Sequence, residues 1–174
     1  MQVNNSDDDF NDDDNDTTDL DQMPVWSSDN RNVTYYHHSY QNYASKDCGA
    51  RIISSNPESS HSSDILNQDL DAYALNPCYV VDQNGDQKRT NIYFIVQLCE
   101  KISIRSFSFV NVEIYSSNPK IVRFLYSPSS DAQSSHNEWH DAGTSIANDS
   151  KDLQTFILGK PTHFTKIVKI EFLE

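Results

Sequence analysis

Apolar residues in the second half of the chain recur at alternate positions, which is typical of β-strands with one packed and one solvated face. The clearest case is Ile102–Ile114, whose length suggests a bend or bulge partway. Ile92–Leu98 is nearly all apolar, as in a strand buried on both faces. Further strands are predicted over 50–54, 121–126, 153–158 and 164–173. No segment keeps a helical period for three turns, so the pattern predicts an all-β fold, an antiparallel β-sandwich of the jelly-roll or a related type.

Two polar, serine-rich stretches interrupt this pattern and are predicted to be loops. The first covers 54–76, within which 63–66 and 70–75 are each expected to form a helical turn. The second covers 127–137. Segments of this kind have too few apolar residues to form a strand with a packed face.

A hairpin is predicted at Asn84-Gly85, because this pair between short runs of β-forming residues is a strong turn signal. Asp82, Asn84 and Asp86 also alternate as at the start of a calcium-binding loop. In such a loop, however, the glycine comes two places later and a glutamate closes the ring. A plain turn is therefore favoured.

The charge of the chain is concentrated at its beginning. The net charge is −13, and residues 1–30 contain ten Asp and no Lys or Arg. Such a segment repels itself and offers little apolar surface to offset its ordering entropy. We therefore expect a disordered acidic tail over residues 1–35 and a folded domain over residues 36–174. Because basic residues are nowhere clustered, nucleic acid is not expected as a partner.

Two histidine pairs are the strongest suggestions of a metal or catalytic site. His37 and His38 are adjacent, so a strand would point them to opposite faces. His136 and His140 bracket an acid as in a zinc-protease helix, but Glu138 is one place late and the neighbouring residues disfavour a helix. No glycine-flanked serine elbow or phosphate-binding glycine loop is present. The sequence therefore predicts no enzyme, no cofactor and no metal site.

Cysteines and glycosylation sequons favour a secretory compartment. The chain has three cysteines, Cys48, Cys78 and Cys99, so at most one internal disulfide can form. The four Asn-x-Ser/Thr sequons begin at Asn4, Asn15, Asn32 and Asn148. Such triplets also arise by chance in a chain rich in Asn, Ser and Thr.

A long stretch of the chain resembles a known family. Asn42-Tyr43-Ala44-Ser45 followed by Asp47-Cys48-Gly49-Ala50 is similar to the opening of the SUN-like domain of the osteopotentia-type endoplasmic-reticulum membrane glycoproteins, a branch of the SUN family. The match covers about residues 41–174 and leaves the acidic tail outside. It continues through Asn56-Pro57-Glu58, Ile65-Leu66, Leu75-Asn76-Pro77-Cys78, Leu98-Cys99-Glu100, Tyr115-Ser116-Ser117, Pro119-Lys120, Trp139, Gly143, Gln154, Phe156 and Val168–Leu173.

This resemblance implies a galactose-binding-like β-sandwich without catalytic activity. It also implies a role in the lumen of the endoplasmic reticulum, in the stability and folding of lumenal proteins. The expected partners are another endoplasmic-reticulum membrane protein and lumenal client proteins. Because family members carry a transmembrane segment elsewhere, membrane attachment is expected through a segment absent from this chain.

The same resemblance bears on the end of the chain and on the cysteines. Thr165–Leu173 has the pattern of a strand that no turn residue has yet ended, and the sequence stops one residue later. Family members continue with a closing strand that carries a fourth cysteine, so we expect the sequence to be cut. We predict a disulfide between Cys48 and Cys99, which the spacing permits, and Cys78 is then the unpaired thiol, because it resembles the family position whose partner is missing. A pair of Cys78 with Cys99 remains open.

Two other functions compete with this interpretation. The chain could be a nuclear-envelope SUN domain that binds a KASH peptide, but the long apolar hairpin of those relatives is replaced here by a polar loop, and no heptad repeat precedes the domain. A carbohydrate-binding module would share the sandwich and would favour aromatic residues grouped in loops. Trp139 is the only loop tryptophan in the domain, which disfavours that alternative.

Overall fold

The computed structural model describes residues 1–5, 41–128 and 138–173. For Asn4 and Asn5 it describes the backbone but not the side chains. Within these residues the secondary structure is β-strands and two short 3₁₀ turns, Lys46–Cys48 and Ser62–Leu66. The strands are β1 (Gln2–Asn5), β2 (Arg51–Ser55), β3 (Tyr79–Val81), β4 (Gln87–Arg89), β5 (Ile92–Ile102), β6 (Ile104–Phe109), β7 (Ile121–Ser127), β8 (His140–Ile146), β9 (Gln154–Ile157) and β10 (Thr165–Leu173).

Two antiparallel sheets and a hairpin make up the fold. One sheet has the order β2-β5-β10-β7-β8, the other has the order β1-β6-β9, and β3 pairs with β4 in the predicted hairpin. Asp82 Oδ1 accepts hydrogen bonds from the backbone N–H groups of Asn84 and Asp86, so this carboxylate oxygen orders the turn itself. The prediction of an all-β antiparallel fold is confirmed.

The two sheets pack through a stack of aromatic rings. Phe107 on β6 lies 4.6 Å from Phe124 on β7 and 5.1 Å from Phe156 on β9, and Phe109 lies 5.4 Å from Phe156, all between ring centroids. Such stacked rings bury large apolar areas, and the ring–ring contact adds a modest stabilisation beyond the buried area. The predicted core residues Val96, Leu98, Phe107 and Phe109 are all buried.

The long alternating segment 102–114 is not a single strand. Ile102, Ser103 and Ile104 are all buried in succession, because the chain passes there from the five-stranded to the three-stranded sheet. Ser103 Oγ donates to the Thr162 carbonyl at 2.6 Å, and the Ile104 N–H donates to Thr162 Oγ1 at 2.9 Å, which holds the bend. The strand then ends at Phe109, and residues 110–114 belong to a loop.

The prediction of a disordered tail from residue 1 is wrong for the first five residues. Gln2–Asn5 pairs with β6, and Val3 is fully buried opposite Phe107. The physical reason is that these residues precede the first aspartate at position 7, and Val3 supplies an apolar side chain to an otherwise open strand edge. Residues 6–40, which hold the remainder of the predicted tail and the start of the predicted domain, lie outside the described residues.

Replacing Val3 by serine is expected to lower the free energy of unfolding by about 2 kcal/mol, because a fully buried valine side chain contributes about this much. For a domain of this size the thermal midpoint should fall by about 4–8 °C. The matched control is Gln2→Ser on the same strand, whose side chain is exposed. Equal midpoints for the two variants would show that β1 does not contribute to the folded domain.

Candidate functional site

A groove of about 620 Å³ opens at one end of the sandwich. It lies where β5 begins, where β10 ends, and where the chain leaves β6 for the loop that leads to β7. We call that loop, residues 110–120, the anchor loop. The opposite wall is formed by residues 64–79. The volume is in the range of sites that hold small molecules or peptide segments.

The floor of the groove is aromatic. Phe172 lies edge-on to Phe94 at 6.2 Å and to Phe109 at 5.2 Å, measured between ring centroids. Large apolar side chains also remain exposed along the rim. They are Leu70, Leu75, Tyr79, Tyr115 and Leu173, and Tyr115 is 96% exposed. Contiguous exposed apolar surface on a folded domain is characteristic of interaction sites.

Hydrogen bonds hold the anchor loop in one conformation. Lys151 Nζ donates to the carbonyls of Glu113 and Ser116, each at 2.7 Å. The Tyr73 hydroxyl donates to Glu113 Oε2 at 2.6 Å, which joins the two walls of the groove. This hydrogen bond is the main cause that lowers the pKa of Glu113, aided by the Tyr115 N–H and by the charge of Lys151, and it raises the pKa of Tyr73. Tyr115 is therefore presented on an ordered loop.

Around Cys78 the groove combines a thiol with two unpaired oxygens. Cys78 has a free and exposed thiol, and its carbonyl accepts a hydrogen bond from the Thr90 N–H at 3.0 Å. Asn76 Oδ1 and Thr90 Oγ1 are buried and make no hydrogen bond within the described part of the chain. Buried polar atoms of this kind are rare and costly.

The amino group of Met1 lies at the same groove. It donates to the Ile65 carbonyl at 3.0 Å, and burial lowers its pKa to about 6.

The motif at residues 42–49 has a structural role. Asn42 Oδ1 accepts from the Ala44 N–H, and Ser45 Oγ accepts from the Asp47 N–H, which together shape the turn. Gly49 has a φ of 99°, a conformation that glycine adopts without strain. The Cys99 N–H donates to the Tyr43 carbonyl at 3.1 Å. None of these motif residues lines the groove.

The turn brings two cysteines together. Cys48 and Cys99 form a disulfide with their Cα atoms 5.6 Å apart, and Cys78 is left as the free thiol. The disulfide connects the turn before β2 to β5. Its second member lies within the strand that also contributes Phe94 to the groove.

The remaining sequence-predicted residues are dispersed. Asn76 lines the groove, whereas Pro77 and Trp139 do not. Asn4 lies in β1 and Asn148 is exposed in the turn between β8 and β9. The other singled-out residues, Asn15, Asn32, His37, His38 and His136, lie outside the described residues.

His140 belongs to a strand that the sequence does not predict. It begins β8, and its ring stacks on Tyr126 at 5.4 Å. Within residues 1–5, 41–128 and 138–173, no group of three or more histidine, cysteine or acidic side chains is placed to hold a metal ion.

Several residues that line the groove or hold its wall carry no sequence signal. Thr90 and Tyr79 come from the hairpin, and Lys151 comes from a turn about 35 residues beyond the loop that it holds. The sequence alone therefore does not indicate that they lie near one another. No helix in the described residues is long and apolar enough to span a membrane.

Comparison with known proteins agrees with this architecture. The Sad1/UNC-like C-terminal family matches residues 55–174. The human SUN domain-containing ossification factor is 36% identical over 138 residues, 76% of this chain and 10% of that protein. The uncharacterized protein SLP1 of Saccharomyces cerevisiae is 36% identical over 132 residues, 76% of this chain and 21% of that protein. The chain thus spans only a small part of the length of these relatives.

A solved structure supports the fold alone. The C-terminal domain of a chitobiase from Bacteroides fragilis superposes with a TM-score of 0.50 at 13% identity, covering 72% of this chain and 81% of that domain. SUN domains are a non-catalytic domain type, and SUN proteins are linked to membranes of the endoplasmic reticulum or the nuclear envelope. By its sequence match over residues 55–174, this chain belongs to the Sad1/UNC-like family of SUN domains, with similarity to the osteopotentia-type ossification factor.

Proposed function

We propose that this chain is a non-enzymatic interaction domain of an endoplasmic-reticulum membrane glycoprotein and supports the stability and folding of lumenal proteins. The similarity to the SUN domain-containing ossification factor over 76% of the chain supports this branch of the family. The disulfide between Cys48 and Cys99 is consistent with an oxidising compartment. Membrane attachment would come from a segment outside this chain.

The observation that carries an interaction role is the ordered apolar rim of the groove. Tyr115 is 96% exposed, and the loop that presents it is held by Lys151 and Glu113. An aromatic side chain on a pre-organised loop loses little entropy when a partner covers it. We therefore assign partner binding to the groove, with another endoplasmic-reticulum membrane protein or a lumenal client as the partner.

The test is the half-life of a lumenal glycoprotein reporter in cells that lack the full-length protein. The reporter is expected to turn over faster in these cells, and the wild-type protein should restore its half-life. A Tyr115→Arg variant should fail to do so, because loss of an aromatic anchor weakens binding by about 2 kcal/mol, roughly thirty-fold.

Ile157→Arg is the matched control for this test. Ile157 is 77% exposed on β9 and does not line the groove, so this variant should restore the half-life fully. Full restoration by Tyr115→Arg would remove the groove from the proposal. Unchanged reporter turnover together with displaced nuclei in the deficient cells would instead support the nuclear-envelope function.

A further inference from the structure

We infer that Asn148 is a site of N-linked glycosylation, beside the anchor loop. The inference rests on the lumenal location proposed above. Asn148-Asp149-Ser150 is an acceptor triplet, and such triplets are modified where they are accessible on a protein surface. The structure places this one in the turn between β8 and β9.

The geometry leaves the acceptor amide accessible. Asn148 is exposed, and its side-chain amide makes no hydrogen bond to the described residues. Its backbone is held by Gln154, whose Oε1 accepts from the Asn148 N–H at 2.7 Å and whose Nε2 donates to the Asn148 carbonyl at 3.0 Å. A glycan attached here would therefore extend from a fixed turn without displacing a contact.

The same turn is bound to the anchor loop. Asn118 Nδ2 donates to Asp149 Oδ1 at 2.6 Å, and the Ala147 N–H donates to the Lys120 carbonyl at 2.8 Å. Asn118 and Lys120 both line the groove. A glycan on Asn148 would thus lie close to one wall of the groove.

Exposed apolar side chains beside the sequon give an independent reason for a glycan. Ile146, two residues before Asn148, is 84% exposed, and Leu153, next to Gln154, is 55% exposed. Ile146 ends β8 and Leu153 precedes β9, so both flank the turn, and exposed aliphatic side chains favour self-association. A hydrated glycan on the turn that connects them would shield them from a second molecule.

Among the four sequons, Asn148 is the one that the described residues place on an exposed turn. Asn4 lies within β1, whose backbone pairs with β6. The triplets at Asn15 and Asn32 lie outside the described residues.

The transfer uses a lipid pyrophosphate-linked oligosaccharide as donor. A bond forms between Asn148 Nδ2 and the first sugar carbon, and the bond from that carbon to the pyrophosphate oxygen breaks. The amide loses one proton to a base of the transferase, and the lipid pyrophosphate leaves with the bonding electron pair. Asn148 itself is neither oxidised nor reduced.

The experiment directs the chain into the secretory pathway behind a cleavable signal peptide. Ser6→Ala, Thr17→Ala and Thr34→Ala remove the other three sequons and leave every asparagine in place. The remaining protein is expected to show one added glycan on gel electrophoresis, and a peptide N-glycosidase should remove it. Mass spectrometry should then find Asn148 converted to Asp.

A pair of substitutions at Ser150 separates loss of the sequon from loss of structure. Ser150→Ala should abolish the glycan, whereas Ser150→Thr keeps an acceptor triplet and should retain it. After removal of the glycan, the wild-type protein is expected to self-associate more than an Ile146→Ser, Leu153→Ser variant treated in the same way.

The inference is overturned if the chain carries no glycan although signal-peptide cleavage and the Cys48–Cys99 disulfide show that it reached the lumen. That result would leave the proposed lumenal function untouched. Conversely, if the native full-length protein has this domain on the cytosolic side by protease protection, the proposed function fails, while a glycan on the directed chain would still establish that the site is competent.

Discussion

Phe107→Ala is expected to lower the free energy of unfolding by about 3–5 kcal/mol. The side chain is 1% exposed and stacks between Phe124 and Phe156, at centroid distances of 4.6 Å and 5.1 Å. It also faces Val3 across the β1–β6 pair. Removing the ring would leave a cavity between the two sheets, and the stiff flanking strands could close it only in part.

Urea denaturation of the two purified proteins measures this difference. Phe164→Ala is the control with the same chemical change, because Phe164 is 55% exposed and should cost less than about 1 kcal/mol. A loss below about 1 kcal/mol for Phe107→Ala would mean that β6 presents its other face to the core.

A second large loss of stability is expected when the Cys48–Cys99 disulfide is removed. Replacing both Cys48 and Cys99 by serine should lower the free energy of unfolding by about 4 kcal/mol in the chain-entropy model, because the bridge joins residues separated by 51 positions. Cys78→Ser provides the control, since that thiol is free and exposed. Its stability should equal that of the wild type.

Peptide mapping of the non-reduced protein tests the pairing itself. A peptide pair that contains Cys48 and Cys99 is expected, with Cys78 recovered as a free thiol. Recovery of Cys78 bound to Cys99, together with a destabilised Cys78→Ser variant, would contradict the assignment.

The sequence predicts most of the fold because the apolar residues of most strands form a run or an alternating pattern that can be recognised without the rest of the chain. Ile92–Leu98 and the strand ending at Leu173 are apolar enough to be recognised alone. The strand His140–Ile146 is not, since it contains Asp141 and Gly143 and has no apolar alternation. It forms because β7 offers a free edge, which is a tertiary cause.

The groove could not be predicted for a similar reason. Its parts come from distant stretches, and their approach depends on the order of strands in the two sheets. Tyr115 and Asn76 belong to segments that match the family, but nothing in those segments indicates that they lie on facing walls. Thr90 has no distinguishing neighbour in the sequence, and its unpaired hydroxyl becomes visible only in three dimensions.

The position of β10 in its sheet bears on how the protein folds during synthesis. This strand pairs with β5 on one side and with β7 on the other, yet it is the last of the described strands to leave the ribosome. Until then the backbone groups on one edge of each partner strand lack their final hydrogen bonds. Nascent chains in that state expose strand edges and apolar surface, which makes them aggregation-prone. Chaperone protection is therefore expected to matter from the synthesis of β5 until β10 has emerged.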